Sequence, residues 1–82
     1  MRLPPGAAGA EHDESDTGHE EVYAIIAGSG AFTVDGERIE VAVGDFLRVD
    51  PGTMRQPIAG PDGLRFLSIG GTARAWDGRA TL

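Results

Sequence analysis

The chain has 82 residues, a formal net charge of −6 and no cysteine. This excludes a second domain, a disulfide framework and thiolate metal ligation. It also argues against nucleic acid or an anionic membrane as partner, since both require a basic surface.

No apolar run is long enough to span a bilayer, and the opening Met1-Arg2-Leu3-Pro4-Pro5 lacks a signal-peptide core, so a cytoplasmic location is expected. A domain this small buries only about 60% of its unfolded surface. Extra stability is expected from a bound ion, a partner subunit or very economical packing.

Taken in order, Met1 to Ala10 is small and rich in proline and glycine, with Arg2-Leu3 able to close a strand. Pro4-Pro5-Gly6 forbids a helix there. Glu11 to Glu21 carries six acids, with His12 and His19 among them. Most charge runs are solvated loops. A calcium-loop reading fails because Ala24 stands where the bidentate Glu is needed and a strand follows instead of a helix.

Glu21 to Ala27 reads as a central strand. Glu21, Tyr23, Ile25 and Ala27 share one face, and Val22, Ala24 and Ile26 share the other. Both faces are apolar beyond Glu21, so both are expected to be covered. A carboxylate opening a buried strand needs a cation, a donor or water. Gly28-Ser29-Gly30 reads as a break, Ala31 to Val34 as a further strand, and Asp35-Gly36 as a hairpin turn. Glu37 to Val43 alternates, with Ile39, Val41 and Val43 inward.

Phe46 to Val49 is a short strand and Asp50-Pro51-Gly52 a turn. Thr53 to Ile58 is extended, Ala59 to Gly63 a loop, and Leu64 to Ile69 the last clear strand. A polar tail follows, anchored by Trp76, which is expected to pack on its own domain or a twin subunit. No segment has helical periodicity, and thirteen glycines and five prolines punctuate the chain. Short strands at regular spacing predict an all-β sandwich or barrel.

These residues resemble the cupins, a superfamily of small β-barrels of the jelly-roll type, also described as a double-stranded β-helix. The first cupin motif is glycine, five residues, His-x-His, three or four residues, Glu, six residues, glycine. Gly6 precedes His12-Asp13-Glu14 at that distance, and Glu21 precedes Gly28. The second is glycine, five residues, Pro-x-Gly, two residues, His. Gly44 is followed by Asp45 to Val49, then Asp50-Pro51-Gly52 and Thr53-Met54, and Arg55 stands at the closing position.

The resemblance covers roughly Arg2 to Ile69. It implies a barrel domain over 1–70 with an acidic loop at 11–20, and a tail at 71–82. The chain opens almost at the first motif, so it is N-terminally short for this family. A homodimer is expected to cover the resulting sheet edge.

In metal-binding cupins, the motif histidines and Glu hold a divalent ion. Carried over, His12 and Glu21 match. Glu14 replaces the second histidine, Arg55 the last, and His19 is a substitute candidate. The Glu14–Glu21 spacing is also longer than the motif's. A metal at His12, Glu14 and Glu21, with His19, would be Mn, Fe, Ni or Zn. It would make a dioxygenase or isomerase conceivable.

Three uses of Arg55 stand open. It pairs with Glu21 and closes a relic site, or it swings to the rim and leaves the metal site free. In the third, it meets an anionic ligand between walls of Tyr23, Phe32 and Phe66. The function classes are correspondingly a small-ligand or metal-binding cupin, whether enzyme or sensor, and a non-catalytic dimerisation or interaction module. No serine carries a nucleophile signature, and no catalytic residue is assigned.

Overall fold

The computed structural model describes residues 1–71, and every regular element among them is a strand. They are β1 (Arg2–Leu3), β2 (Glu20–Val34), β3 (Glu37–Ala42), β4 (Phe46–Val49) and β5 (Arg55–Gly71). All pair antiparallel, in the order β1-β5-β2-β3, with β4 also on β2. The long β2 therefore lies against β5 throughout. Its first half has β4 on the other side, from Glu21↔Val49 to Ala24↔Phe46, and its second half has β3, from Ser29↔Ala42 to Val34↔Glu37. The Trp76 anchor expected from the tail lies outside the described residues.

The expected hairpin forms at Asp35-Gly36, where both residues have positive φ, 49° and 83°. That is the geometry an Asp-Gly pair favours in a two-residue connection. Asp35 also ties the turn to the neighbouring strand: its N–H donates to the Met54 carbonyl at 2.8 Å, and its Oδ1 accepts from the Met54 N–H at 2.9 Å.

Two expected breaks are bends instead. Gly28-Ser29-Gly30 does not end a strand, and Ala59 to Gly63 is not a free loop. The β2–β5 register slips from Gly28↔Leu64 to Gly30↔Ala59, leaving Gly60–Gly63 opposite Ser29 alone. Such a bulge kinks both strands while pairing continues on either side. Glycine is required at the corner: a Cβ on Gly28 would strike the Gly63 carbonyl, and one on Gly30 the Ile58 carbonyl. The bend folds the two halves of the sheet toward each other and makes the small barrel.

The barrel interior holds Leu3, Tyr23, Ile25, Phe32, Val41, Val49, Ala59, Leu64 and Phe66. Tyr23, Phe32 and Phe66 meet as a triad with ring centroids 4.7–5.6 Å apart, tilted or edge-on as aromatic quadrupoles prefer.

The expectation that both faces of β2 are covered fails. Tyr23 and Ile25 are buried, but Ile26 on the opposite face is exposed. The β4–β2–β5 sheet is packed on one side only, so the apolar character of the second side is not explained by the core. Val43, expected inward, falls in the β3–β4 turn and is exposed.

Candidate functional site

Glu21 is the centre of the site. As the second residue of β2 it shares the inward parity of Tyr23, at the open end of the barrel, and its side chain keeps 12% of its exposure. Its carboxylate accepts from the Tyr23 hydroxyl at 2.6 Å and the Ser68 hydroxyl at 2.7 Å. Ser68 is brought in by the Tyr23↔Ser68 register of β2 and β5. Burial acts to raise the Glu21 pKa. The Tyr23 and Ser68 hydroxyls, with the charges of Arg55 and His12, outweigh it and leave the group below its ordinary value. Tyr23 is pushed well above the usual tyrosine value by burial and by the carboxylate it donates to.

His12 reaches Glu21 because the N-terminal segment runs antiparallel beside β5. Ala8 bridges Ile58, and His12 and Arg55 exchange both backbone bonds, at 3.0 and 2.8 Å. The next turn delivers Glu14. Its N–H donates to the Pro51 carbonyl at 2.8 Å, and its carbonyl accepts from the Gly18 N–H at 2.8 Å. Thr17 Oγ1 also donates to Glu14 Oε2 at 3.2 Å. His12 Nε2 thus stands 3.6 Å from Glu14 Oε1 and 3.7 Å from Glu21 Oε1.

One ligand atom from each of His12, Glu14 and Glu21 lies within 4.8 Å of the others. Two ligands of one transition metal stand about 3–4 Å apart, given bonds of about 2.0–2.2 Å. The three groups therefore fit a divalent ion with modest side-chain closure. One imidazole and two carboxylates are a hard-to-borderline donor set suited to Mn, Fe or Zn. Tyr23 and Ser68 would remain as the outer hydrogen bonds that orient Glu21. His19, proposed as a substitute ligand, is not part of this group. It precedes β2, and its ring lies toward Gly70.

Of the three courses expected of it, Arg55 follows the first in part, pairing with Glu21 through one contact. It is completely buried, so it does not swing to the rim. Nor does it form a bidentate pair with Glu21, since the approach is a single Nη2 at 3.8 Å from Oε1. Its Nη donors are taken by carbonyls at the end of β4 and in the β4–β5 turn. Nη1 donates to Thr53 at 2.8 Å and Pro51 at 3.5 Å, and Nη2 to Asp50 at 3.2 Å and Val49 at 3.5 Å. A guanidinium so enclosed is a poor anchor for an anionic ligand. The reason is local: the turn folds back over the start of β5, and its carbonyls are nearer than the cavity.

The cavity beside Glu21 has a volume of about 250 Å³ and is lined by Met1, Gly9, Ala10, His12, Glu21, Tyr23, Pro57, Phe66 and Ser68. Of the expected ligand-binding residues, Glu21, Tyr23 and Phe66 line it. Phe32 and Arg55 do not: Phe32 lies fully buried beneath the other two rings. Sequence reasoning missed Ser68 and Pro57. Ser68 was discoverable, because it alternates with Leu64 and Phe66 on the inward face of the last strand.

The cupin-domain family model matches residues 1–70. The chain belongs to the cupin family. Among solved structures it is similar to a cupin protein from Bacteroides fragilis, with 37% identity and a TM-score of 0.81, covering 99% of this chain and 74% of that one. It also resembles a predicted oxalate decarboxylase from Thermotoga maritima, with 30% identity and a TM-score of 0.74 over 85% of this chain. KdgF from Halomonas shares the fold at 23% identity and a TM-score of 0.72 over 84% of this chain. This cupin spans 60% of the Thermotoga chain and 61% of the Halomonas chain. No curated protein sequence matches it.

Proposed function

We propose that this cupin binds a divalent transition metal through His12, Glu14 and Glu21 and receives a small organic molecule in the adjoining cavity. The observation that carries the reading is the convergence of those three ligand atoms within 4.8 Å at the cavity wall. Two carboxylates there favour a cation, and the nearest fixed positive charge, Arg55, is occupied by turn carbonyls. Tyr23, Pro57 and Phe66 supply apolar wall, and Ser68 and the metal's open positions supply polar anchoring. A bound divalent ion would act as a Lewis acid on a ligand oxygen. The similarity to a predicted oxalate decarboxylase supports a small carboxylate as the ligand class.

The test is elemental analysis and calorimetric titration with Mn²⁺ and Zn²⁺ on tag-free protein. Near-equimolar binding that falls at least about tenfold in His12→Ala and Glu14→Gln supports the reading, because each removes one ligand bond worth more than about 1.4 kcal/mol. One observation favours a metal-free alternative. The Glu21 carboxylate is already held by two hydroxyls, with Arg55 at 3.8 Å. A protein that stays empty in both metals, and whose Arg55→His variant gains an ion, would establish that alternative.

A further inference from the structure

Arg2 and Arg65 stand directly opposite each other across β1 and β5. Their neighbours Leu3 and Leu64 are buried, so by strand alternation the two arginines share the outer face of the sheet. Ala27 of β2 is the register partner of Arg65 and extends the row to a third strand. Like charges placed opposite each other across strands are unfavourable. Yet in a chain with thirteen acids against seven bases, no carboxylate pairs with either arginine among the described residues. Arg38, Arg48 and Arg55 each have such a partner, in Glu40, Glu20 and Glu21.

The two guanidiniums border a cavity of about 290 Å³ at the barrel corner, with Pro4, Pro5 and Ala27 in its wall. The bend accounts for the hollow. β2 and β5 turn together at Gly28 and Gly63, both at positive φ, and Ala27 sets only a methyl group beside Arg65. The charged side chains of the lining are the two arginines and Asp62, so the cavity is net positive on a chain of net charge −6. It shares no lining residue with the cavity beside Glu21.

We infer that this corner cavity is a second binding site, which takes the phosphoryl group of a small soluble organic phosphate between Arg2 and Arg65. Side chains directly opposite across antiparallel strands start about 4.5–5.5 Å apart at Cβ, so both guanidiniums reach one anion. Each presents a planar fork of N–H donors. A carboxylate has a single pair of oxygens and fills one fork. A phosphoryl group has three acceptor oxygens and a charge approaching −2, so it serves both forks and neutralises the repulsion between them. The Pro4 and Pro5 rings and the Ala27 methyl leave apolar wall for the organic part. The net charge of −6 disfavours an anionic membrane as the source of the phosphoryl group. The site stands or falls independently of a metal at Glu21.

The test is an NMR titration of the full, tag-free chain with glycerol 3-phosphate, followed at the backbone amides. Shifts are expected at Leu3, Ala27 and Leu64, with Tyr23 and Ser68 unmoved, and glycerol alone should shift none of them. Arg2→Gln and Arg65→Gln, both at exposed positions, should each weaken binding at least about tenfold. Asp62→Asn removes the competing carboxylate of the rim and should tighten it. Arg38→Gln, which does not line the cavity, should leave it unchanged, and added salt should weaken it. Three outcomes would overturn the proposal. One is an absence of shifts at the corner amides at millimolar glycerol 3-phosphate, or shifts confined to Tyr23 and Ser68. Another is an equal loss in Arg38→Gln and Arg65→Gln, the mark of diffuse attraction to surface charge. The last is Arg65-dependent capture by vesicles of phosphatidate in phosphatidylcholine without a response to glycerol 3-phosphate, which would make the ligand a lipid headgroup.

Discussion

At the scale of single residues, Arg55 carries the most consequence. It is a fully buried guanidinium whose Nη groups hold the Val49 carbonyl at the end of β4 and three carbonyls of the turn that follows, and its Nε has no hydrogen-bond partner among the described residues. A buried charge is costly, and it is retained only where its surroundings return most of that cost. Here the return comes from turn carbonyls and, more weakly, from Glu21. Replacing Arg55 by methionine keeps much of the volume but strands those carbonyls and leaves Glu21 without its nearest cation. The expected loss is about 3 kcal/mol, the range for removing one member of a buried ionic group. Urea unfolding should show it as a lower midpoint with an unchanged slope. Arg55→Lys should recover only part, because a single ammonium cannot reach all four acceptors at once. A loss below about 1 kcal/mol would mean that water serves the turn equally well. The sequence marked Arg55 as decisive because a cation stood in a ligand position. It could not show that the residue's own turn would claim the donors, since the turn's path over β5 is a tertiary fact.

At the scale of elements, the glycines divide what was legible from what was not. Asp35-Gly36 was readable because a two-residue hairpin depends on local φ preference alone, and the structure has both residues at positive φ. Gly28-Ser29-Gly30 was misread as an end because a glycine pair marks equally a turn and a bulge. The difference lies in whether a partner strand bends at the same place. Here it does, at Gly60–Gly63, nearly half the chain away in sequence. Gly30→Ala tests the corner. Its φ is not in the left-handed region, so the substitution isolates the close approach: the new Cβ would meet the Ile58 carbonyl, backbone that cannot rotate away. Forcing an atom into such a contact costs about 1–3 kcal/mol. The loss should be accompanied by faster amide exchange at Ala31 and Ala59, whose strands must separate. Unaltered stability would show that the bend has slack the backbone distances do not suggest. The site inherits its precision from this corner, because the same β2–β5 register sets Ser68 beside Tyr23 and both beside Glu21.

At the scale of the whole molecule, two electrostatic effects oppose each other as pH falls. Thirteen acids against seven bases give a net charge of −6. Neutralising part of that charge relieves self-repulsion in the compact chain. Glu21 works in the opposite direction. Its folded pKa is depressed because the Tyr23 and Ser68 hydroxyls, with Arg55 and His12, outweigh the burial that would raise it. A depressed carboxylate adds stability that is complete above its unfolded value, near ~4.3, and is lost as pH falls through the lower folded value. Stability should therefore hold or rise slightly toward mildly acidic pH and then drop below about pH 4. Ser68→Ala isolates the Glu21 contribution. It removes one of the two hydroxyl donors, so the folded pKa moves back toward the ordinary value and the gap that supplies stability narrows. In metal-stripped protein, urea midpoints measured from pH 7 to pH 3 should separate the variant from the native chain above the drop and bring them together at its foot. The converging shape is what identifies the carboxylate. A constant offset at every pH would mean that Ser68 contributes by packing alone, and Glu21 would then owe its ionised form to Tyr23 and Arg55.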